Sequence, residues 1–174
     1  LALGLIGEGE FHFRGEIVPA EEVYKELGLN PLDINGREGL ALMNGTSSMT
    51  GIGGINVIRA HRLVVWSMLL SLMVNEMMEA YDDHFSAELN NVKRHNGQRA
   101  VAEWMRILGD DSQLMRKRHE HLYEKKVTET VVEDKVQEYY SLRCVPQILG
   151  PIFDTVLNAE KVIIDELNSV NDNP

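Results

Sequence analysis

Between Ile55 and Tyr81 apolar side chains recur at spacings of three and four: Ile55, Ile58, Val65, Leu69, Leu72, Met73, Met77 and Tyr81. At its middle, Leu63–Val74, the stretch is apolar nearly all round. A helix of this kind has no face suited to water, so other helices are expected to wrap it. At ~1.5 Å per residue it is about 40 Å long, which is long for a chain of this size. The apolar run is shorter than the roughly 20 residues a bilayer span needs, so a buried helix is expected and not a membrane segment.

The rest of the chain fits around that helix. Its 174 residues suit one domain or a large piece of one, and 44% hydrophobic with 25% charged residues is the balance of a globular protein. Seventeen basic residues (17) against 27 acidic give a net charge of −10, which argues against nucleic acid and anionic membrane as partners. The single Cys144 excludes an internal disulfide and fits a reducing compartment, so a cytoplasmic location is expected. The opening Leu1–Ile6 reads as the tail of an apolar helix, and the final Asn171-Asp172-Asn173-Pro174 follows a strong helix, so an internal piece of a longer protein is expected.

Phe11 and Phe13 alternate around Gly15 and predict a small hairpin. Pro19 can open a short helix to Leu27, with Gly28 as its terminating residue. Asn30–Gly36 reads as loop, Asp82–Gln98 as a polar turn, Arg99–Leu108 as a short helix, Thr128–Lys135 as loop, and about Pro146–Val170 as the last helix. Pro151 should bend that helix or mark its start. The expected fold is mainly α, with one small β-hairpin near the N-terminus. Residues 1–174 are expected to form a single segment, 1–36 being a strand, loop and helix portion and 37–174 the long-helix portion.

Two stretches carry chemistry. In Ala41-Leu42-Met43-Asn44-Gly45-Thr46 the Asn-Gly pair reads either as a turn or as a buried amide that needs partners from a substrate. In Gln137-Glu138-Tyr139-Tyr140-Ser141-Leu142-Arg143-Cys144-Val145-Pro146-Gln147, a helical conformation would place Gln137, Tyr140 and Arg143 along one edge. Arg143 offers a planar fork for a carboxylate, worth roughly 1.5–3 kcal/mol. Tyr140 offers a phenol able to donate or accept a proton. On pattern alone, a salt-bridged Arg and a half-buried Tyr in a structural helix is the simpler reading. His119 and His121 fall on different helix faces, and Asp82-Asp83-His84 has no further ligand at a recognised spacing, so no metal site is expected. Arg116-Lys117-Arg118 reads as a solvated face, and Cys144 lacks a neighbouring His that would make it a nucleophile.

Glu38-Gly39-Leu40-Ala41-Leu42-Met43-Asn44-Gly45-Thr46 resembles the E-G-L-A-L-x-N-G-T motif of the aromatic amino acid lyases, which comprise the histidine, tyrosine and phenylalanine ammonia-lyases and their aminomutase relatives. Gln137–Gly150 resembles their Q-D/E-x-Y-S-L-R-C-x-P-Q-x-x-G motif. Leu5-Ile6-Gly7-Glu8-Gly9, His95-x-Gly97-Gln98 and Asn168–Pro174 resemble three further family segments, all in family order. Asn96 departs from the usual Pro, and the charged 112–126 stretch departs as well. Around Asn44 and Tyr140 the match looks closest to bacterial tyrosine-type lyases and tyrosine aminomutases.

The resemblance implies a long-helix bundle of the ammonia-lyase fold, a homotetramer with sites shared between subunits, and the electrophile 4-methylideneimidazol-5-one, made from an internal Ala-Ser-Gly. This chain contains no Ala-Ser-Gly. By resemblance, Asn44, Gln137 and Tyr140 are the catalytic set around the electrophile. Arg143 pairs with the substrate carboxylate beside Asn44, and Leu40 and Met43 line the side-chain pocket. The implied function is elimination of ammonia from an aromatic amino acid (tyrosine, phenylalanine or histidine), with an aromatic 2,3-aminomutase as the alternative. A noncatalytic helical assembly module is the alternative of another class. For this segment alone, catalytic silence is expected.

Overall fold

The computed structural model describes residues 1–120 and 135–170. Its described residues divide into two compact units: 1–51 with 166–170, and the described part of 52–165. The stretch read as loop before Lys135, the second imidazole of the His119/His121 pair and the closing Asn171–Pro174 motif lie outside the described residues.

In the first unit, α1 (Ala2–Leu5) leads into strands β1 (Glu10–Phe13) and β2 (Glu16–Pro19). They pair antiparallel with Phe11 opposite Val18 and Phe13 opposite Glu16. The connecting Arg14 and Gly15 both take positive φ, 52° and 94°, the backbone signature of a tight turn matched to strand twist. Helix α2 (Ala20–Leu27) starts directly after Pro19 and ends at Gly28, whose φ of 64° is the left-handed conformation that closes many helices. Tyr24 ties the unit together: its hydroxyl donates to the Gly4 carbonyl at 2.9 Å, and its ring lies 6.3 Å from that of Phe11. Helix α3 (Glu38–Asn44) follows the loop, with the Asn35 amide donating to the Glu38 carboxylate at 2.8 Å.

Helix α4 (Ser47–Met77, 31 residues) realises the long apolar helix. Within the second unit, Val64, Met68 and Leu72 form one packed face, spaced by four. They meet Phe85, Val101, Met105 and Val145, with Trp104, Leu149, Phe153 and Val156 around them. Each fully buried aliphatic or aromatic side chain there contributes roughly 1.5–3 kcal/mol. The expected wrapping is one-sided among the described residues: Ile55, Ile58, Leu63, Trp66, Leu70 and Met73 are exposed. By length and composition Glu38–Met77 is apolar enough to cross a bilayer, its best window having a mean hydropathy of 1.5. The packed face and the His61–Glu160 pair at 3.0 Å dock one side of α4 within the second unit.

The stretch after α4 differs from its expectation as a polar turn. It holds a 3-10 turn (Asp83–Phe85) and α5 (Ala87–Asn91), and α6 (Asn96–Leu108) begins ahead of Arg99. Ala80, Tyr81, Phe85, Asn90 and Gln98 are all buried in it. Its polar residues go inside because they satisfy one another, as described below. Helix α7 is the single turn Tyr140–Arg143, and α8 (Val145–Leu167) begins one residue before Pro146, so Pro151 is an interior position and not a start. Helices α6 and α8 touch at Gly97 and Gly150: a methyl group on either would collide with the other's backbone. The Gly97 amide donates to the Asp154 carboxylate of α8 at 3.1 Å.

Candidate functional site

The residues singled out from sequence fall into two clusters, one in each unit. In the first unit Leu40, Met43 and Asn44 share α3, with Leu40 and Asn44 one turn apart on the same face. Asn44-Gly45 is no hairpin turn. Asn44 is the last helical residue, and Gly45 leaves it extended, at φ −63° and ψ 150°, while donating to the Ala41 carbonyl at 2.7 Å. The Asn44 amide is exposed within this chain rather than at depth, because α3 buries little of itself here. Met43, 71% exposed, borders an open apolar cleft of about 850 Å³ shared with Leu1, Leu3, Phe11, Tyr24 and Leu42.

In the second unit, Gln137 sits at a bend ahead of α7 rather than on a continuous helix with Tyr140 and Arg143. Tyr140 and Arg143 are brought together: three apart on α7, they place the guanidinium carbon 4.2 Å from the centre of the phenol ring. Arg143 Nε is buried with no hydrogen-bond partner among the described residues. Gln137 and Tyr140 face outward, while Glu138, Leu142 and Pro146, spaced by four, face inward. The simpler expectation, a half-buried Tyr140 and a salt-bridged Arg143, does not describe them: Tyr140 is 72% exposed.

Behind this turn lies a polar network that periodicity does not reveal. His84 Nε2 and Asn75 Oδ1 are 3.1 Å apart, and the Asn75 amide donates to the Ser71 carbonyl at 2.8 Å. The Asn90 amide donates to the carbonyls of His84 and Ser86 at 3.1 and 2.9 Å, and Gln98 Nε2 donates to Asn90 Oδ1 at 3.0 Å. Burial drives the His84 imidazole down to about 4, against the opposing pull of Asp83 and Glu138. Glu138, quoted from sequence only as part of a motif, is buried and joins Tyr81 to Lys135. Its signal in sequence was its place four before Leu142, on the apolar side of the turn. Arg116 and Arg118 are no solvated face: Arg116 pairs with Glu79 and Arg118 with Asp83, each at 2.6 Å, and the Arg118 guanidinium covers the Tyr81 ring at 4.0 Å. Arg116 holds the Glu79 carboxyl below its ordinary range by hydrogen bond and charge.

Comparison with known proteins gives the same answer over the whole chain. The profile of the family described as aromatic amino acid lyase matches residues 1–174. A tyrosine 2,3-aminomutase of Myxococcus sp. (strain Mx-B0) is 41% identical over 182 aligned residues, covering 100% of this chain and 34% of that protein. A histidine ammonia-lyase of Gloeobacter violaceus is 36% identical, covering 100% of this chain and 32% of that protein. Among solved structures, a phenylalanine aminomutase of Pantoea agglomerans superposes with a TM-score of 0.88 at 32% identity, covering 99% of this chain and 34% of that one. The chain therefore spans about a third of the length of the relatives it matches.

Proposed function

The chain belongs to the aromatic amino acid lyase family, and from that premise we propose that it is the part of an ammonia-lyase that binds the substrate carboxylate and orients the reacting amine of an aromatic amino acid. The observation that carries the reading is the Tyr140–Arg143 pair. Stacking against the phenol fixes the guanidinium plane, and a guanidinium so fixed offers its terminal N–H groups as a fork to a substrate carboxylate. Fixing one end of the substrate removes rotational freedom from the step at its α- and β-carbons.

The family is known for 4-methylideneimidazol-5-one, and the donors here suit it. The amides of Asn44 and Gln137 and the phenol of Tyr140 are hydrogen-bonding groups for a ring carbonyl and its nitrogens, and Arg143 remains for the carboxylate. When present, the group supplies an electrophilic carbon to the substrate amine. Tyr140 holds or passes a proton at its phenol oxygen, Gln137 and Asn44 orient, and Leu40 and Met43 form the apolar wall for the ring. A homotetramer with shared sites, in the cytoplasm, completes the proposal; the exposed apolar residues of α4 support the assembly.

An aminomutase is the second reading, supported by the 41% identity to a tyrosine 2,3-aminomutase. The test is Arg143→Lys in the enzyme that carries this segment, with arylacrylate and β-amino acid products measured together. The expected result is a KM raised by about tenfold or more, through loss of the two-pronged contact, with kcat changed less. An unchanged KM removes the carboxylate role. Arylacrylate as the sole product identifies a lyase, and accumulating β-amino acid identifies a mutase.

A further inference from the structure

Glu138 is a carboxylate where the fold asks for an apolar residue. It lies on the inward row with Leu142 and Pro146, 4% exposed, and the proposed chemistry does not use it. A buried charge of this kind persists only when paired and hydrogen-bonded. Both of its oxygens are engaged. Oε1 accepts the backbone amide of Tyr81 at 3.1 Å, just past the end of α4, and Oε2 accepts from Lys135 Nζ at 3.1 Å. Lys135 Nζ also donates to the Met78 carbonyl at 3.2 Å, and Arg118 Nη1 donates to the Val136 carbonyl at 2.9 Å. Residues 135–138 are thus tied to the segment just after α4 through two side chains, Glu138 and Lys135, and to Arg118 through a third, and α7 begins two residues later. Gln137 is flanked directly by the anchored Val136 and Glu138.

We propose that Glu138 is a positioning residue: its two-sided anchorage to Tyr81 and Lys135 holds Gln137 and Tyr140 in their outward register and Arg143 against the Tyr140 ring. The proposal rests on the reading of Tyr140 and Arg143 as substrate-facing groups. Because α7 is a single turn, it has no intrinsic stability of its own and takes its position from what precedes and follows it. Val145 and Pro146, both buried, fix the following side, and the Glu138 anchor fixes the preceding one. Glu138 touches no substrate in this arrangement, so its effect is expected on the rate of the oriented complex more than on ground-state binding. A displacement of about 1 Å in positioning groups can cost about a hundredfold in rate.

The test compares Glu138→Ala, Glu138→Gln and Arg143→Lys in the enzyme that carries this segment, with kcat and KM expressed per folded protein and folding followed by circular dichroism. Glu138→Ala is expected to lower kcat by about tenfold to a hundredfold with a smaller change in KM. Glu138→Gln, which keeps an acceptor for the Tyr81 amide and loses the charge facing Lys135, is expected to fall between Glu138→Ala and the unsubstituted enzyme. A lowered melting temperature with kcat unchanged in Glu138→Ala overturns the proposal and leaves Glu138 a stabilising residue only. If Glu138→Ala does not fold, Glu138→Gln decides: kcat lower by about threefold or more supports the anchor, and kcat equal to the unsubstituted enzyme overturns it. Arg143→Lys separates the two ideas. A KM unmoved by Arg143→Lys removes the site reading itself, whereas a raised KM beside an unaffected Glu138→Ala removes the anchor alone.

Discussion

Among the described residues His84 is the side chain whose environment most alters its acid–base behaviour. Its ring is buried against Asn75 and Phe85, with Asp83, Glu138, Arg118 and Arg143 as the charged groups around it. In the folded chain it takes up a proton only near pH 4, whereas its ordinary value is 6.5. Above pH 6.5 both folded and unfolded chains carry it neutral, so its contribution is constant. As pH falls from 6.5 towards 4 the unfolded chain binds a proton that the folded chain refuses, and stability falls. At ~1.4 kcal/mol per pKa unit the loss is about 3 kcal/mol across that window. Urea unfolding of the chain at several pH values is expected to show this slope, and His84→Gln is expected to flatten it. A slope that His84→Gln leaves unchanged assigns the acid sensitivity to other groups, the Glu79 carboxyl, held below its ordinary range by Arg116, being the first to examine, whereas Asp82, raised by its partial burial, acts in the opposite sense.

At the scale of elements, the contact of α6 with α8 depends on the absence of two side chains. Gly97→Ala is expected to destabilise by about 1–3 kcal/mol or more, because the new methyl meets the Gly150 carbonyl and the Asp154 carboxylate, neither of which can yield freely. Gly51→Ala makes the contrast: nothing lies within 4 Å of a methyl group there, and an interior helical Gly replaced by Ala is expected to gain up to about 1 kcal/mol. Denaturant titration of both variants checks the pair, and equal effects contradict the packing argument. The hairpin, α2 with its Gly28 end, α4 and α8 were legible in the sequence, because each carries a two- or four-residue period or a stop residue. The 82–98 stretch was not, because Asn75, His84, Asn90 and Gln98 go inside by satisfying one another, and no hydropathy pattern announces that. The Tyr140–Arg143 pairing followed from spacing alone. The exposure of Asn44 and the bend at Gln137 did not, since both depend on where the neighbouring backbone leaves its helix.

At the scale of the whole molecule, the four side chains proposed for chemistry do not make a catalyst without an electrophile, and the 174 residues hold no Ala-Ser-Gly from which to form one. The purified 174-residue chain is expected to produce no arylacrylate from tyrosine, phenylalanine or histidine, measured by ultraviolet absorbance. Turnover by this chain alone refutes that expectation and the cofactor assignment with it. Family membership was legible from motifs spread over the chain, whereas the choice between lyase and mutase was not, since the orienting groups serve both outcomes. The side of α4 left bare among the described residues has a consequence for the life of the protein in a cell. A row of Ile, Leu, Met and Trp facing water is what chaperones hold and what drives nascent chains to aggregate, and the proposed assembly would hide it. Substitutions along that row would therefore be felt first as how much enzyme accumulates, and only afterwards as how well each molecule works.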